Sequence, residues 1–530
     1  MTFLPRARAR RGIAALTLLA TALLAACAPS EPSGSDGGGS GAAKDTLVVG
    51  LPGSLSSLDP AVEGGILNYY VAAISAEGLL GVAADGKLQP AIAESWKTPD
   101  AKTYVFQIRK DARFSDGTPV TVDDVLYSLD RARDPVASPS TASYWPELTV
   151  AQTGAQEVTI TLAQPNVTFL STVTNAGALW ITSRAYGEKH SPAGTSGAPG
   201  LGSGPYKAVE FAPDSHATFA ADDTWWGGPA RYKTVRFDFI PDENTRLLAR
   251  RSGDIDIALN VPLDQVDAWK GAGDTDVLFA SDHSYVGLQL DQDVKPFDDV
   301  HVRRAIAHAV DRDAIVTSIL HGHGEPALGF PTPEQLGAVV GEDEANSLLA
   351  GLPQLGFDLD AAKAELAQSS VPGGFSAELA YPATGPQLGK AALALAENLK
   401  TIGIDLKVTE VPIEQWITSL DDETRGLHYT WYFSTTGDPG EVIGWYLRPD
   451  NPYGYRNPKV AQSLTDASTE TDPKARVADI IAANTQANTD VAAIPLWWGQ
   501  AATAVAHDLK VDEYTPYLFL GAWPNAITVR

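Results

Sequence analysis

Cys27 is the only cysteine among the 530 residues of this chain, and its position favours covalent modification of the thiol. It directly follows Leu24, Ala25 and Ala26, which end an apolar run that begins at Gly12. Four arginines, at positions 6, 8, 10 and 11, precede that run. A basic start, a short apolar stretch and small residues before a cleavage point are typical of an export signal. Residues 1–26 are therefore predicted to be a signal peptide, because a retained membrane helix needs about 20 apolar residues.

The Leu-Ala-Ala-Cys sequence at the end of this segment resembles the bacterial lipobox, in which the cysteine receives a diacylglyceryl group before cleavage. Each buried methylene of an acyl chain contributes about 0.8 kcal/mol, so a lipidated Cys27 would hold the chain at a membrane. An ordinary secretory signal with a chance cysteine, or a buried thiol, is the alternative. Arg10 and Arg11 leave the export route, Sec or twin-arginine, open. Residues 27–44 are rich in Gly and Ser and are predicted to be a flexible tether.

Motifs of common hydrolases do not occur in the sequence, which contains no Gly-x-Ser-x-Gly, no Ser-x-x-Lys and no His-Glu-x-x-His. His321 and His323 are the closest histidine pair, but the glycines at 322 and 324 favour a solvated loop over a metal site. We therefore expect a protein that is not an enzyme and holds no metal or other cofactor. An exported hydrolase is the alternative.

Aromatic side chains between His428 and Leu447 form the best candidate for a binding site. A Gly-Asp-Pro turn at residues 437–439 is flanked by Trp431, Tyr432, Phe433, Trp445 and Tyr446. Ligand pockets combine aromatic walls with a few placed polar groups, although each of these rings could instead belong to the core. Secondary candidates are Leu55, Ser56, Tyr69, Tyr70, Trp497 and Trp498. Adjacent residues of a strand point to opposite faces, so at most one of the last two tryptophans is expected to face a cleft.

The size and composition of the chain limit what can position these residues. A chain of 530 residues exceeds what one hydrophobic core supports, so two or three domains are expected. Hydrophobic residues make up 44% and charged residues 20%, which is typical of a globular protein. The net charge of −26 argues against binding to nucleic acid or to anionic lipid headgroups.

Hydrophobic periodicity predicts a mixed α/β protein. Strands are expected at 46–50, 104–109 and 404–408, and the stretches 152–162 and 206–239 are expected to be rich in strands. Helices are expected at 66–80, 121–133, 300–320 and 388–402. The helix that follows Thr121 begins with a capping box formed with Asp124, and Gly403 ends the last helix.

The stretch between Pro90 and Val125 closely resembles the family 5 extracellular solute-binding proteins of bacterial ABC importers, the peptide- and nickel-binding group. Matching residues there are Pro90, Ala93, Ser95, Trp96, Tyr104, Phe106, Arg109, Phe114, Asp116, Gly117, Asp124 and Val125. Further motifs follow in the family's order, at 204–206, 225–228, 296–306, 396–404, 438–439, 455–458 and 494–496. The resemblance covers essentially all of the chain after the tether.

This resemblance implies an α/β, two-lobed periplasmic-binding-protein-like fold (type II, cluster C) with an extra α/β subdomain and a hinged ligand cleft. One lobe would combine 45–82, 202–286 and 505–530, the subdomain would be 83–201, and the other lobe 287–504. Two chain crossings, at 285–290 and 494–499, would form the hinge about which the lobes close.

The resemblance also implies a function: capture of an extracellular solute, in the first place an oligopeptide, and its delivery to a permease with cytoplasmic ATPases. A monomer held at the outer face of the cytoplasmic membrane, or on the periplasmic side, is expected. The alternative ligand is an oligosaccharide, a metal complex or another solute. The alternative role is sensing of the solute without import.

In peptide-binding members an aspartate just ahead of the turn pairs with the α-ammonium group of the ligand. That position falls at Ser434 or Thr435 in this chain, so the expected carboxylate is missing. Asp438 could replace it or could serve only as a turn residue.

Overall fold

The computed structural model describes residues 44–421 and 425–530. Cys27, the predicted signal peptide and the tether up to residue 43 lie outside the described residues. No helix in the described part of the chain is both long enough and apolar enough to span a bilayer.

The strands of the described residues are β1 (Thr46–Leu51), β2 (Leu80–Val82), β3 (Leu88–Pro90), β4 (Ala93–Lys97), β5 (Thr103–Ile108), β6 (Leu148–Gly154), β7 (Glu157–Leu162), β8 (Tyr206–Ala212), β9 (His216–Ala221), β10 (Thr234–Phe239), β11 (Ile257–Ala258), β12 (Thr275–Leu290), β13 (Gly324–Pro326), β14 (Phe375–Pro382), β15 (Ile404–Val411), β16 (Leu427–Phe433), β17 (Ala493–Ala506), β18 (Leu509–Val511) and β19 (Ile527–Val529).

The helices of the same residues are α1 (Ile66–Ala72), α2 (Val122–Arg133), α3 (Phe169–Thr172), α4 (Arg184–Lys189), α5 (Glu243–Ser252), α6 (Val266–Lys270), α7 (Val300–His308), α8 (Arg312–Ala314), α9 (Pro333–Val340), α10 (Glu342–Ala350), α11 (Leu359–Gln368), α12 (Pro386–Thr401), α13 (Ile413–Thr418), α14 (Glu441–Tyr446), α15 (Pro458–Thr469) and α16 (Pro473–Asp490).

The largest sheet has the strand order β16-β12-β17-β11-β1-β10-β9-β8, and β13 also pairs with β17. We call the part built on β1 and β8–β11 the first lobe, and the part built on β13, β16 and the parallel pair β14–β15 the second lobe. A separate antiparallel sheet, β4-β5-β7-β6, together with α2, forms the subdomain. Each of these parts has its own cluster of buried apolar side chains.

Strands β12 and β17 are long enough to belong to both lobes. Residues 275–281 of β12 pair with the C-terminal half of β17, whereas residues 285–289 pair with its N-terminal half. Between Ser281 and Tyr285 the register shifts, and His283 adopts a positive φ of 50°. A bulge of this kind bends a strand and re-aims its side chains. The irregularity therefore lies where the sheet passes from one lobe to the other.

Several sequence predictions are confirmed at residue level. The Thr121 side chain accepts a hydrogen bond from the backbone N–H of Asp124, and the Asp124 carboxylate accepts one from the backbone N–H of Thr121. In α12 the apolar side chains Leu388, Ala391, Leu395 and Leu399 are buried along one face, and Gly403 follows the helix with φ at +96°. This helix connects β14 to β15, which pair in parallel as a crossover unit requires.

Two predicted helices are shorter than the apolar pattern indicated. The helix predicted over 66–80 ends at Ala72, because the chain must then pass close to the backbone of residues 173–175. A Cβ at Gly78 would lie only 2.6 Å from the backbone nitrogen of Asn175. The helix predicted over 300–320 stops at His308, and Asp311 caps a new helical segment by accepting a hydrogen bond from the Ala314 N–H at 2.9 Å.

Candidate ligand-binding site

A cavity of about 1310 Å³ lies between the two lobes and the subdomain. The first lobe contributes residues near 52–55, 63–69 and 260–264, and the subdomain contributes residues near 139–144 and 166–172. The second lobe contributes residues near 383–390, 412–420 and 431–448. The volume exceeds the roughly 300–1,000 Å³ of ordinary small-molecule pockets, so the cavity can enclose a ligand of several linked units.

Aromatic rings from all three parts line this cavity. On β16 the rings of Trp431 and Phe433 lie 5.2 Å apart between centroids. The edge-to-face pair of Trp445, on α14, and Tyr144, in the subdomain, has a centroid separation of 5.1 Å and an interplanar angle of 75°. Tyr69 on α1 packs edge-to-face on Trp180 at 5.4 Å. Such rings offer large apolar surfaces at low conformational cost, which suits a ligand wall.

Nine of the fourteen residues singled out as candidate ligand contacts line the cavity: Leu55, Tyr69, Trp431, Tyr432, Phe433, Thr435, Asp438, Trp445 and Tyr446. The sequence placed them in two stretches far apart in the chain. The structure brings these stretches together, because α1, β16 and α14 all contribute residues to the same cavity.

The remaining five, Ser56, Tyr70, Ser434, Trp497 and Trp498, do not line the cavity. Tyr70 follows Tyr69 on a helix and so points into the first lobe, where its ring packs on Phe519 at 5.2 Å. Trp498 is buried in the second lobe and donates its indole N–H to the Gly329 carbonyl at 3.1 Å. Trp497 is buried as well, because both faces of β17 are covered there. We therefore leave these side chains out of the candidate wall.

Asp438 lines the cavity, but its carboxylate already has partners. Its Oδ1 lies 2.7 Å from Nη2 of Arg476. The same oxygen accepts a hydrogen bond from the Gly440 N–H at 2.7 Å. Asp438 thus links the turn before α14 to helix α16, in addition to any contact with a ligand.

Glu441 and Asp282 are two of the cavity carboxylates that were not singled out from the sequence. Glu441, the first residue of α14, accepts hydrogen bonds from the hydroxyls of Tyr432 at 2.9 Å and Ser434 at 2.6 Å, and also from that of Thr436. Burial raises its pKa, while the Ser434, Thr436 and Tyr432 hydroxyls act in the opposite direction. Acidic residues are so numerous in this chain that sequence alone gave no reason to choose this one.

Asp282 is the second carboxylate. It lies at the register shift of β12 and accepts a hydrogen bond from the Ser284 N–H at 2.9 Å. Burial raises the pKa of Asp282 to about 6. A bulge cannot be read from a single strand sequence, so no signal pointed to this position.

No group of three or more His, Cys, Asp or Glu side chains in the described residues is placed to hold a metal ion. The His323 ring stacks on Phe279, with centroids 4.2 Å apart and planes 2° from parallel. Aromatic packing thus accounts for one member of the histidine pair singled out in the sequence.

Several contacts join the two sides of the cleft. Lys390 of the second lobe forms an ion pair with Asp264 of the first. The Thr435 hydroxyl donates to the Ala176 carbonyl at 2.5 Å. The backbone N–H of Val167, in the segment after the subdomain sheet, donates to the Ser468 carbonyl at 3.0 Å. These contacts describe a closed arrangement in which the cavity is enclosed on several sides.

Comparison with known proteins identifies the family to which this fold belongs. Residues 87–493 match the model of the bacterial extracellular solute-binding proteins, family 5. The chain is 27% identical over 501 residues to the probable D,D-dipeptide-binding periplasmic protein DdpA of Escherichia coli K12, covering 90% of this chain and 92% of the relative. It is 25% identical over 494 residues to the periplasmic oligopeptide-binding protein OppA of the same strain, covering 86% and 88%.

Among solved structures, the binding protein AgaA from A. tumefaciens R10, in complex with agropinic acid, matches with a TM-score of 0.80. The two chains are 26% identical, and the match covers 92% of this chain and 99% of AgaA. This agreement confirms the expected two-lobed α/β fold. The chain belongs to the bacterial extracellular solute-binding proteins of family 5.

Proposed function

We propose that this protein captures an extracellular peptide and delivers it to a membrane permease that is driven by cytoplasmic ATPases. The observation that carries this proposal is the 1310 Å³ aromatic-walled cavity enclosed between two lobes that share strands β12 and β17. Such a cavity suits a ligand of several linked residues that is buried when the lobes close. No bond-breaking step is part of this function.

Relatives support a peptide as the ligand class. DdpA and OppA carry dipeptide- and oligopeptide-binding in their names, and each aligns with most of this chain. A non-peptide solute is the second candidate, because AgaA, at 26% identity, holds agropinic acid. An oligosaccharide or a metal complex would belong to the same alternative.

We infer that delivery depends on the difference between an open and a closed form. The first lobe would comprise 45–82, 202–286 and 505–530, the subdomain 83–201, and the second lobe 287–504. Ligand binding can favour closure only if the ligand makes better contacts with the closed form. The contacts of Lys390 with Asp264 and of Tyr144 with Trp445 would form on closure. A permease that docks across both lobes could then recognise the loaded monomer.

We also propose that the protein is anchored outside the cytoplasm by lipid on Cys27, which lies outside the described residues. A tether over 27–44 would leave the folded body free to meet the permease. Cys27→Ala should release the protein from the membrane fraction while leaving the ligand affinity of the folded body unchanged. Retention of Cys27→Ala in washed membranes would argue against a lipid anchor at this residue.

Uptake and turnover measurements test the function as a whole. Deleting the gene should abolish uptake of the peptide that the purified protein binds, and restoring the gene should restore uptake. Unchanged uptake would favour a sensor that uses the same fold. Hydrolysis of the bound peptide by purified protein would instead support the exported hydrolase and would contradict the proposed role.

A further inference from the structure

The subdomain contributes a wall of uncharged polar side chains to the cavity. Every residue between 83 and 201 is described, and none of those that line the cavity is charged, whereas both lobes contribute several charged side chains. Most of the lining residues of the subdomain carry a hydroxyl or an amide group. We call Ser143, Asn166, Ser171 and Thr172 the neutral wall.

Two hydrogen bonds hold part of the neutral wall against the second lobe. The backbone N–H of Val167 donates to the Ser468 carbonyl at 3.0 Å. The Thr435 hydroxyl donates to the Ala176 carbonyl at 2.5 Å. Residues 171–172 lie between these two contacts in the chain. A ligand group that reaches them is therefore enclosed between the subdomain and the second lobe.

A ring contact joins the same two parts of the protein. Tyr144, which follows Ser143, packs edge-to-face on Trp445 of α14 with centroids 5.1 Å apart. Burial and the nearby Glu441 raise the pKa of Tyr144 to about 12, so its hydroxyl stays protonated. The pair thus adds apolar surface beside the neutral wall without adding a charge.

Several polar groups of the neutral wall are free to bind a ligand. Within 44–421 and 425–530, the hydroxyls of Ser143, Ser171 and Thr172 form no hydrogen bond with another residue. The Asn166 carbonyl oxygen accepts from the Thr168 hydroxyl at 2.8 Å, which leaves the Asn166 amide N–H groups available. Hydroxyl and amide groups can donate to and accept from an uncharged polar group.

The second lobe offers this wall no free charge. Each of its charged side chains in the described part of the cavity has partners: Lys390 pairs with Asp264, Arg448 with Asp450, Arg476 with Asp438, and Glu441 accepts hydrogen bonds from three hydroxyls. A charge brought against neutral hydroxyls would lose water without gaining a counter-charge, which is costly.

We propose that the neutral wall is a subsite for an uncharged polar part of the ligand, such as the side chain of Gln, Asn, Ser or Thr in a peptide, and that it rejects charged side chains. The free hydroxyls replace the water that such a side chain loses on closure, whereas Lys or Glu would remain uncompensated. This inference rests on the proposed function, because it assigns a chemical class to one part of the captured peptide.

Three position-scanned peptide sets test it. Each contains peptides of three to six residues built on Ala, Gly and Ser, with one position at a time occupied by Gln, Glu or Lys. Purified full-length protein is incubated with equal amounts of the sets, and retained peptides are quantified by mass spectrometry. We expect at least one position at which Gln is retained about tenfold or more better than both Glu and Lys, because a buried charge without a partner is costly.

Thr172→Asp adds a carboxylate to the neutral wall and should reverse this selection at the same position. Retention of Lys should rise about tenfold, because an ammonium group now gains a charge-assisted hydrogen bond, and retention of Glu should fall further. Thr98→Asp is the matched control, since Thr98 lies in an exposed loop of the same subdomain and does not line the cavity. Its selection should equal that of the wild-type protein.

The outcomes separate this inference from the proposed function. Retention of Lys or Glu peptides as good as that of Gln peptides at every position would overturn the inference and leave peptide capture standing, even if the variants fail to fold. Unchanged selection in folded Thr172→Asp would overturn it too. Retention of no peptide from any set would contradict the proposed peptide function, and the inference with it.

Discussion

Asp438→Asn separates a structural role of this residue from a ligand-binding role. The substitution keeps an oxygen for the Gly440 N–H but removes the charge that faces Arg476. The two side chains are 17% and 13% exposed, so this ion pair is largely buried. Among the described residues, the Arg476 guanidinium retains the Ala467 carbonyl, at 2.9 Å, as its second acceptor.

The expected loss of stability follows from this burial. Exposed ion pairs contribute about 0–1 kcal/mol, whereas breaking a buried pair costs about 3–5 kcal/mol. The pair of Asp438 with Arg476 lies between these limits, and Arg476 keeps one hydrogen bond. We therefore expect Asp438→Asn to lower the free energy of unfolding by about 2 kcal/mol.

Urea unfolding followed by tryptophan fluorescence measures this change, with the slope against urea expected to stay constant. Asp450→Asn is the control, because Asp450 pairs with Arg448 but is 83% exposed; its effect should stay below about 0.5 kcal/mol. A double-mutant cycle with Arg476→Gln should recover most of the loss as coupling energy. Unchanged stability of Asp438→Asn, combined with a tenfold loss of affinity for a cationic ligand, would refute this account and make Asp438 the ligand anchor.

Three further predictions concern the wall, the closure and a buried acid. Trp431→Ala and Trp445→Ala should each weaken peptide binding about tenfold or more in calorimetry, because each substitution removes a large aromatic contact. Unchanged affinity in both variants would mean that the ligand binds elsewhere. A double-mutant cycle on Lys390 and Asp264 should show coupling of about 0.5 kcal/mol in ligand affinity, and strict additivity would argue against an ion pair that forms on closure. Burial raises the pKa of Glu77 to about 7, so the free energy of unfolding should fall as the pH rises from about 4.5 to about 7. Glu77→Gln should reduce this fall by about 3 kcal/mol in urea titrations at several pH values. An unchanged pH profile in Glu77→Gln would contradict the raised pKa.

Local sequence signals were sufficient for much of the secondary structure. The capping box of Thr121 and Asp124, the buried stripe of α12 and the end of that helix at Gly403 depend on neighbours in the chain. The two shortened helices show where such signals fail. Gly78 must approach the backbone of Asn175, a contact between residues nearly a hundred positions apart that no local pattern encodes.

Part of the candidate site could likewise be predicted from the sequence, and part could not. Trp431 and Trp445 could be chosen from sequence because a cluster of aromatic residues around a turn is locally visible. Glu441 could not, because its distinguishing feature is the set of hydroxyls that donate hydrogen bonds to it. Asp282 depends on a register shift between β12 and β17, which pair over more than two hundred residues of chain.

Native mass spectrometry of the full-length protein, extracted from its own membranes without denaturation, tests the central claim most directly. We expect a fraction of the protein to carry a bound species, released on unfolding, whose fragmentation identifies short peptides. An oligosaccharide, a metal complex or another non-peptide solute in that position would contradict peptide capture and would assign the cavity to a different ligand.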